Sequence, residues 1–310
     1  MSTPALRAEA PFLPLQLPFG YDEPARIVTL RGHSGAMLRL IGRAVRKTAG
    51  RTERNARLLR QCAIQRQLWS YGISVPRVLG EGHDEAGRAW FDMDYVPADT
   101  LAAEIARGTA LDLPATVAAL EWLLRFFQLT EGEALPASPF FEKIDQIETD
   151  CRTLPACASL QVIIAAAAGR LRTLDWSGIP SSLSHGDLTL ENILFVPSRG
   201  LVFIDCDRAF VSSWWLDAGK LFQDIEGYWC VRELYSKSAG AHAGALATRR
   251  LDRLAPALRA MTALCDRGLA MRLPQFAALH LFRTLPYADD EGVAGFALER
   301  LMAVLDRAQL

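Results

Sequence analysis

Residues Ser184–Asp207 read SHGDLTLENILFVPSRGLVFIDCD, and this stretch decides the fold. Ile193 to Val196 and Leu201 to Ile204 are two apolar β runs joined by Pro197, Ser198, Arg199 and Gly200, whose turn chemistry predicts a hairpin. Pairing about that turn sets 193 opposite 204, and the next pair outward is Asn192 with Asp205, roughly 5 Å apart at the backbone. An amide and a carboxylate at one hairpin end suit Mg²⁺, which takes one or two carboxylates and completes its octahedron with water and phosphate. Asp207 is a third candidate oxygen ligand. Asp187, five residues ahead of Asn192 in a polar loop, is placed to hold a substrate hydroxyl. Taken singly, each of these residues also fits an ordinary turn or a strand cap.

An Asp followed five positions later by Asn, and then by a second Asp after a hairpin, resembles the catalytic loop and metal motif of kinases. Gly186 in His185, Gly186, Asp187, and the Asp205, Cys206, Asp207 triplet, resemble the aminoglycoside phosphotransferase and choline kinase group; no Ala-Pro-Glu of a protein kinase follows. Trp215 to Leu221 is similar to that group's Asp-Leu-Ala region, so Asp217, with His185, is implied to support the catalytic loop. The resemblance spans about residues 26–287. It implies an α+β, bilobal protein kinase-like fold, with a small β-rich N-lobe and a larger, mainly helical C-lobe. It also implies Asp187 as catalytic base, Asn192, Asp205 and Asp207 at Mg²⁺, and ATP or GTP as phosphoryl donor.

Working outward, the expected divisions are an arm over residues 1–25, an N-lobe over 26–97 and a helical C-lobe over 98–310. Short β runs at Ile27–Leu30, Met37–Ile41, Ala44–Thr48 and Ala89–Tyr95 surround one helix near Arg54–Tyr71, on which Leu58, Cys62, Gln65 and Trp69 form a stripe. Gly32, Ser34 and Gly35 would form the phosphate-approaching tip between the first two runs. Lys47 resembles the strand lysine that pairs with α and β phosphates, while Arg46 alternates to the solvated face. Gln61 stands where the family pattern has a glutamate partner for that lysine. Backbone groups at Asp94, Tyr95 and Val96 are expected to receive the adenine edge. Helices are predicted over 99–107, 114–131, 140–152, 157–174, 215–236, 242–266, 274–286 and 290–309.

The 34 basic and 35 acidic residues nearly cancel, with no basic stripe for nucleic acid. Only four residues are lysine: Lys47, Lys143, Lys220 and Lys237. The six cysteines lack CxxC spacing, so neither a zinc site nor a disulfide framework is indicated. The expectation is a cytoplasmic chain without a membrane span and without an obligatory protein partner. It acts on a small-molecule hydroxyl; a nucleotide-binding pseudokinase without turnover is the alternative, and a kinase acting on protein is disfavoured. The segments Arg54–Gln61 (RNARLLRQ) and Phe91–Tyr95 (FDMDY) also look like phosphotransferase-like proteins of capsule and surface-polysaccharide synthesis, pointing to a sugar or glycan acceptor. Asp224, Glu226, Trp229, Arg283, Tyr287, Asp289 and Asp290 are acceptor-site candidates by chain position. An acidic, aromatic pocket would favour a cationic acceptor, and Arg283 facing the site an anionic sugar.

Overall fold

Alternation along Ala44–Thr48 puts Val45 and Lys47 on one side of a strand and Arg46 on the other, and this alternation organises the first sheet. A computed structural model describes residues 27–30, 35–108, 111–197, 199–207, 210–236 and 241–308. The expected arm over 1–25, Gly32 and Ser34 lie outside the described residues. The strands β1 (Ile27–Leu30), β2 (Met37–Ile41), β3 (Ala44–Thr48), β4 (Val78–His83) and β5 (Ala89–Asp94) form an antiparallel sheet in the order β1-β2-β3-β5-β4. β4 carries Gly80 and Gly82, and their low strand propensity hid it from the sequence reading.

Helix α1 (Asn55–Ser70) lays Leu58 and Cys62 against Ala49, Ala89 and Phe91. Its buried stripe is Leu58, Gln61, Cys62, Gln65 and Leu68, so Leu68 takes the inner position expected of Trp69. The buried amide of Gln65 is satisfied by donating to Pro76 O at 2.7 Å. Arg46 is not simply solvated as expected. It makes two 2.8 Å bonds to Asp92 and stacks over Trp90 at 3.9 Å.

The chain divides into two compact units: residues up to Asp99 with Leu194–Asp207, and Thr100–Ile193 with Arg208–Leu310. The hairpin strands β7 (Ile193–Val196) and β8 (Gly200–Phe203), which follow the two-residue β6 (Asp99–Thr100), therefore belong largely with the first unit rather than with the C-lobe. Two contacts account for this. Leu194 and Val202 pack on Val96, and Phe203 N donates to Ser74 O at 2.7 Å.

The second unit is helical: α2 (Leu101–Arg107), α3 (Leu113–Gln128), α4 (Ser138–Cys151), α5 (Gln161–Arg172), α6 (Trp214–Ile225), α7 (Arg232–Ser236), α8 (Ala241–Cys265), α9 (Arg267–Phe282) and α10 (Glu291–Ala308). The single helix expected over 215–236 is broken, because Tyr228 adopts a left-handed backbone (φ 56°) after Gly227. The helix expected from 274 starts earlier, at Arg267, where Asp266 caps it by accepting from Leu269 N. Among the described residues no single helix is long and apolar enough to cross a membrane.

The central contact of this unit is the crossing of α6 on α9, where Gly219 permits close approach. A Cβ there would sit 2.5 Å from Phe276 Cβ and 3.1 Å from His280 Cδ2. Gly219→Ala would recover roughly 0.5–1 kcal/mol of helix propensity, but overpacking against a helix that cannot recede costs about 1–3 kcal/mol. Net destabilisation is expected as a lower urea midpoint. A midpoint equal to or above that of the native sequence would show that the crossing has slack.

Candidate functional site

In the helical unit the loop from Ser184 to Asn192 is held by one face of α6. Asp217, Lys220 and Asp224 recur at spacings of three and four, so they share that face. Asp217, fully buried, accepts from His185 N at 2.6 Å with one oxygen and from Gly186 N at 2.7 Å with the other. Lys220 Nζ lies 2.9 Å from Asp187 Oδ1, and Asp224 accepts from Leu190 N at 2.6 Å. Two carboxyls of one helix thus satisfy loop N–H groups that would otherwise be buried without partners, while Lys220 between them meets the Asp187 side chain. Gly186 takes φ 83°, a conformation glycine adopts at little cost.

Asp187 is the partly exposed carboxylate of this set. Lys220 reaches Oδ1, Asn192 Nδ2 donates to Oδ2 at 2.9 Å, and Asp187 N donates to His185 Nδ1 at 3.3 Å. Burial pushes the carboxyl's pKa up, but the Lys220 ammonium, with Arg283 and His185 nearby, outweighs burial and holds it below the ordinary carboxylate range. An ionised, doubly oriented carboxylate can accept a proton from, or orient, a hydroxyl. Asn192 is in a short 3₁₀ turn (Leu190–Asn192) rather than on the extended strand expected of it, and its amide nitrogen serves Asp187.

The first unit holds a second set. Lys47, 4% exposed, forms an ion pair with Asp205 from the end of the hairpin segment. Gln61 is buried on α1 and lines a shallow recess with Gly35, Gly50, Arg54 and Arg57. Lys47 therefore has a charged partner, but it is Asp205 rather than a residue at position 61. Asp205 has φ 58°, a left-handed backbone that is strained for a non-glycine residue and costs about 1–3 kcal/mol. Asp207 accepts from Arg57 at 2.8 and 2.5 Å, which engages one of its oxygens in an ion pair.

Gly35 takes φ 67°, and a Cβ there would overlap the Arg54 guanidinium. At the expected hinge, Asp94 N donates to Arg77 O at 3.0 Å and Tyr95 N to Arg43 O at 2.9 Å. Those two donors are thus committed to the sheet and are not available to an adenine edge. Val96 is buried in the small core with Leu194 and Val202, and its carbonyl accepts from Ala98 N.

Sequence reasoning placed Asp187, Asn192 and Asp217 on one loop-and-helix assembly but missed Lys220 and Asp224 as its other anchors. The signal was present: both lie on the Asp217 face at helical spacing, and lysine is rare in this chain. Of the acceptor candidates, Asp224 instead braces the loop, and Glu226 is buried against Arg259 and Arg307. Trp229 is buried, and Tyr287, Asp289 and Asp290 are exposed.

Burial pushes Asp224 from its ordinary 3.8 up to about 7, Glu191 adding to the shift. The native chain then keeps a proton that the unfolded chain releases near pH 4. The stability contributed by the neutral carboxyl is complete below about pH 4 and lost as pH rises to about 7. Asp224→Asn, which cannot ionise, is expected to flatten that part of the urea-midpoint profile between pH 4 and 7. A slope equal to that of the native sequence would exclude a neutral native Asp224.

The family model described as the phosphotransferase enzyme family APH matches residues 30–256. No curated protein matches the sequence. Among solved structures, a thermostable variant of aminoglycoside phosphotransferase APH(4)-Ia in ternary complex with ADP and hygromycin B is 15% identical, covering 91% of this chain and 94% of its own, with TM-score 0.60. A further thermostable variant, with AMP-PNP and hygromycin B, gives the same identity, coverage and TM-score. The structure of APH(4)-Ia itself gives 15% identity, 91% and 93% coverage and TM-score 0.56, so the likeness is one of fold. With a family model spanning most of its length over a β-sheet unit and a helical unit, the chain belongs to the phosphotransferase enzyme family, small-molecule kinases on a protein kinase-like fold.

Proposed function

We propose that this phosphotransferase moves the γ-phosphoryl group of ATP to a hydroxyl of a small molecule, with a sugar or surface-glycan component as acceptor. The observation that carries the reading is the setting of Asp187: ionised, and oriented through both oxygens by Lys220 and Asn192. Its carboxylate would align the acceptor hydroxyl and take its proton as the new P–O bond forms. Lys47, buried on β3, would offer an ammonium to the phosphates. The pseudokinase alternative rested on Gln61 in place of an acid and on a thin glycine loop; against the first motive, Lys47 has a charged partner in Asp205.

The donor chemistry here fits Mg²⁺. Among the described residues no group of three or more His, Cys, Asp and Glu side chains makes a closed metal cage. Asp205 offers a carboxylate, and Asn192, whose nitrogen is engaged, offers its amide oxygen. One or two such hard oxygens suit a cation that retains water and takes phosphate as ligand. When bound, the ion would neutralise charge on the phosphates. Asp207, paired with Arg57, is the weaker candidate.

The deciding assay supplies ATP and Mg²⁺ with a library of hydroxyl compounds rich in sugars. Asp187→Asn is expected to keep Mg²⁺-dependent ATP affinity while lowering turnover by roughly 10²- to 10⁴-fold. Asp205→Asn is expected to weaken the metal dependence of ATP binding together with turnover. The reverse pattern would exchange the two roles, and unchanged phosphoryl transfer in both would refute the assignment. Lys47→Ala, measured by calorimetry, should weaken ATP binding by about tenfold or more, as loss of a charge-assisted phosphate contact does. Wild-type affinity in a folded Lys47→Ala protein would remove Lys47 from the nucleotide site.

A further inference from the structure

Spacing along the chain pairs none of the six cysteines, but the helical unit brings two of them together. Cys151 ends α4, and Cys157 lies in the 3₁₀ segment Pro155–Leu160 that follows it. Both side chains are fully buried. Leu154 closes the turn between them: its N–H donates to Cys151 O at 3.4 Å, and its carbonyl accepts from Cys157 N at 3.0 Å. Gln161, the first residue of α5, then spans the turn, its Nε2 donating at 2.9 Å to Cys151 O and at 2.9 Å to Cys157 O. One nitrogen on both carbonyls holds the two residues side by side, and their thiols are within hydrogen-bonding reach of each other. The Cys62 thiol, by contrast, donates to Glu81.

The turn is braced from outside as well. Ser159 donates to Glu291, at the start of α10, at 2.5 Å, and Arg172 of α5 pairs with Asp145 and Glu148 of α4 at 2.6 and 2.5 Å. These contacts set the spacing of Cys151 and Cys157 without help from the sulfurs. Two sulfurs in mutual reach on a braced turn can bond with little backbone movement, and such a bond restricts the unfolded chain while leaving the native helices in place. Arg152, Thr153, Pro155 and Ala158 are exposed, so what covers the pair is a single turn of chain at a helix end, where local opening costs least.

We propose that Cys151 and Cys157 form a redox-modification site that closes to an intramolecular disulfide when the protein meets an oxidised small-molecule disulfide. The step is thiol–disulfide exchange. The thiolate of one cysteine attacks R–S–S–R and releases R–S⁻; the second cysteine, giving up its proton, displaces the other R–S⁻ as the internal S–S bond forms. Two protein thiols are oxidised, one small disulfide is reduced, and the two protons end on the two released thiols. Burial first, and then Cys157, push the Cys151 thiol up to about 12. The attacking thiolate is therefore scarce at neutral pH, and closure is slow there and faster as pH rises.

Trypsin supplies the readout, because Arg152 lies between the two cysteines. Residues 144–152 and 153–170 leave the reduced chain as separate peptides, and leave the bridged chain as one linked species. Full-length native protein is incubated with 2-hydroxyethyl disulfide, alkylated, digested without reductant and weighed by mass spectrometry. The linked species should appear two hydrogens lighter than its parts and vanish with dithiothreitol, its rate of formation rising roughly tenfold per pH unit above neutrality. Bridging should raise the urea midpoint above that of the reduced protein. Cys151→Ala and Cys157→Ala should each abolish both the linked species and that rise, whereas Cys62→Ala should abolish neither. The proposal is overturned if the link forms only after unfolding in urea, if both cysteines stop at mixed disulfides or bond to a third cysteine, or if bridging lowers the midpoint.

Discussion

The structure of the loop from Ser184 to Asn192 depends on α6 acting as a polar clamp. Asp217, Lys220 and Asp224 project from one face of a helix whose other residues are almost all buried, and each answers a different point between His185 and Leu190. Backbone N–H groups in a buried loop need acceptors, and a helix is rigid enough to supply several at fixed spacing. The clamp stays ionically uneven: burial drives Asp217 and Asp224 up to about 7 each, while Lys220 helps to keep Asp187 below the ordinary carboxylate range. Carboxyls of one sequence type are thus split by environment into two raised by burial and one held charged and partly exposed.

A different logic governs the sheet unit. There a lysine is buried on the inner face of a strand, where an unpaired ammonium would be costly, and Asp205 supplies the compensating charge from a residue 158 positions away. Asp205 reaches that position with a strained left-handed backbone just after β8. Strain of that kind persists where surrounding contacts over-determine it, here the packing of the hairpin on Val96 and the Phe203 to Ser74 bond.

Family membership does not by itself name an acceptor. Similar structures in complex with hygromycin B share the fold at 15% identity, and a fold hosts many specificities. Side chains lining a site, not the fold, decide which molecule is admitted.

Much of the candidate site was legible in one stretch of sequence, because the loop and the hairpin are nearly contiguous and their spacing is set by local geometry. Asp187, Asn192, Asp205 and Asp217 could be named from Ser184–Leu221 alone, as could a β-rich first unit and a helical second from the change in hydrophobic period. Partner choice was not legible. Lys47 reads as a strand lysine, but only tertiary structure pairs it with Asp205 rather than with position 61. Likewise the N–H groups of Asp94 and Tyr95 look available until the sheet register commits them to Arg77 and Arg43. The hairpin's membership of the first unit, and the packing of Gly219 against Phe276 and His280, join residues far apart in the chain. Local periodicity determines which face a residue occupies; long-range packing decides what that face meets, because it depends on shapes and charges that no window of sequence contains.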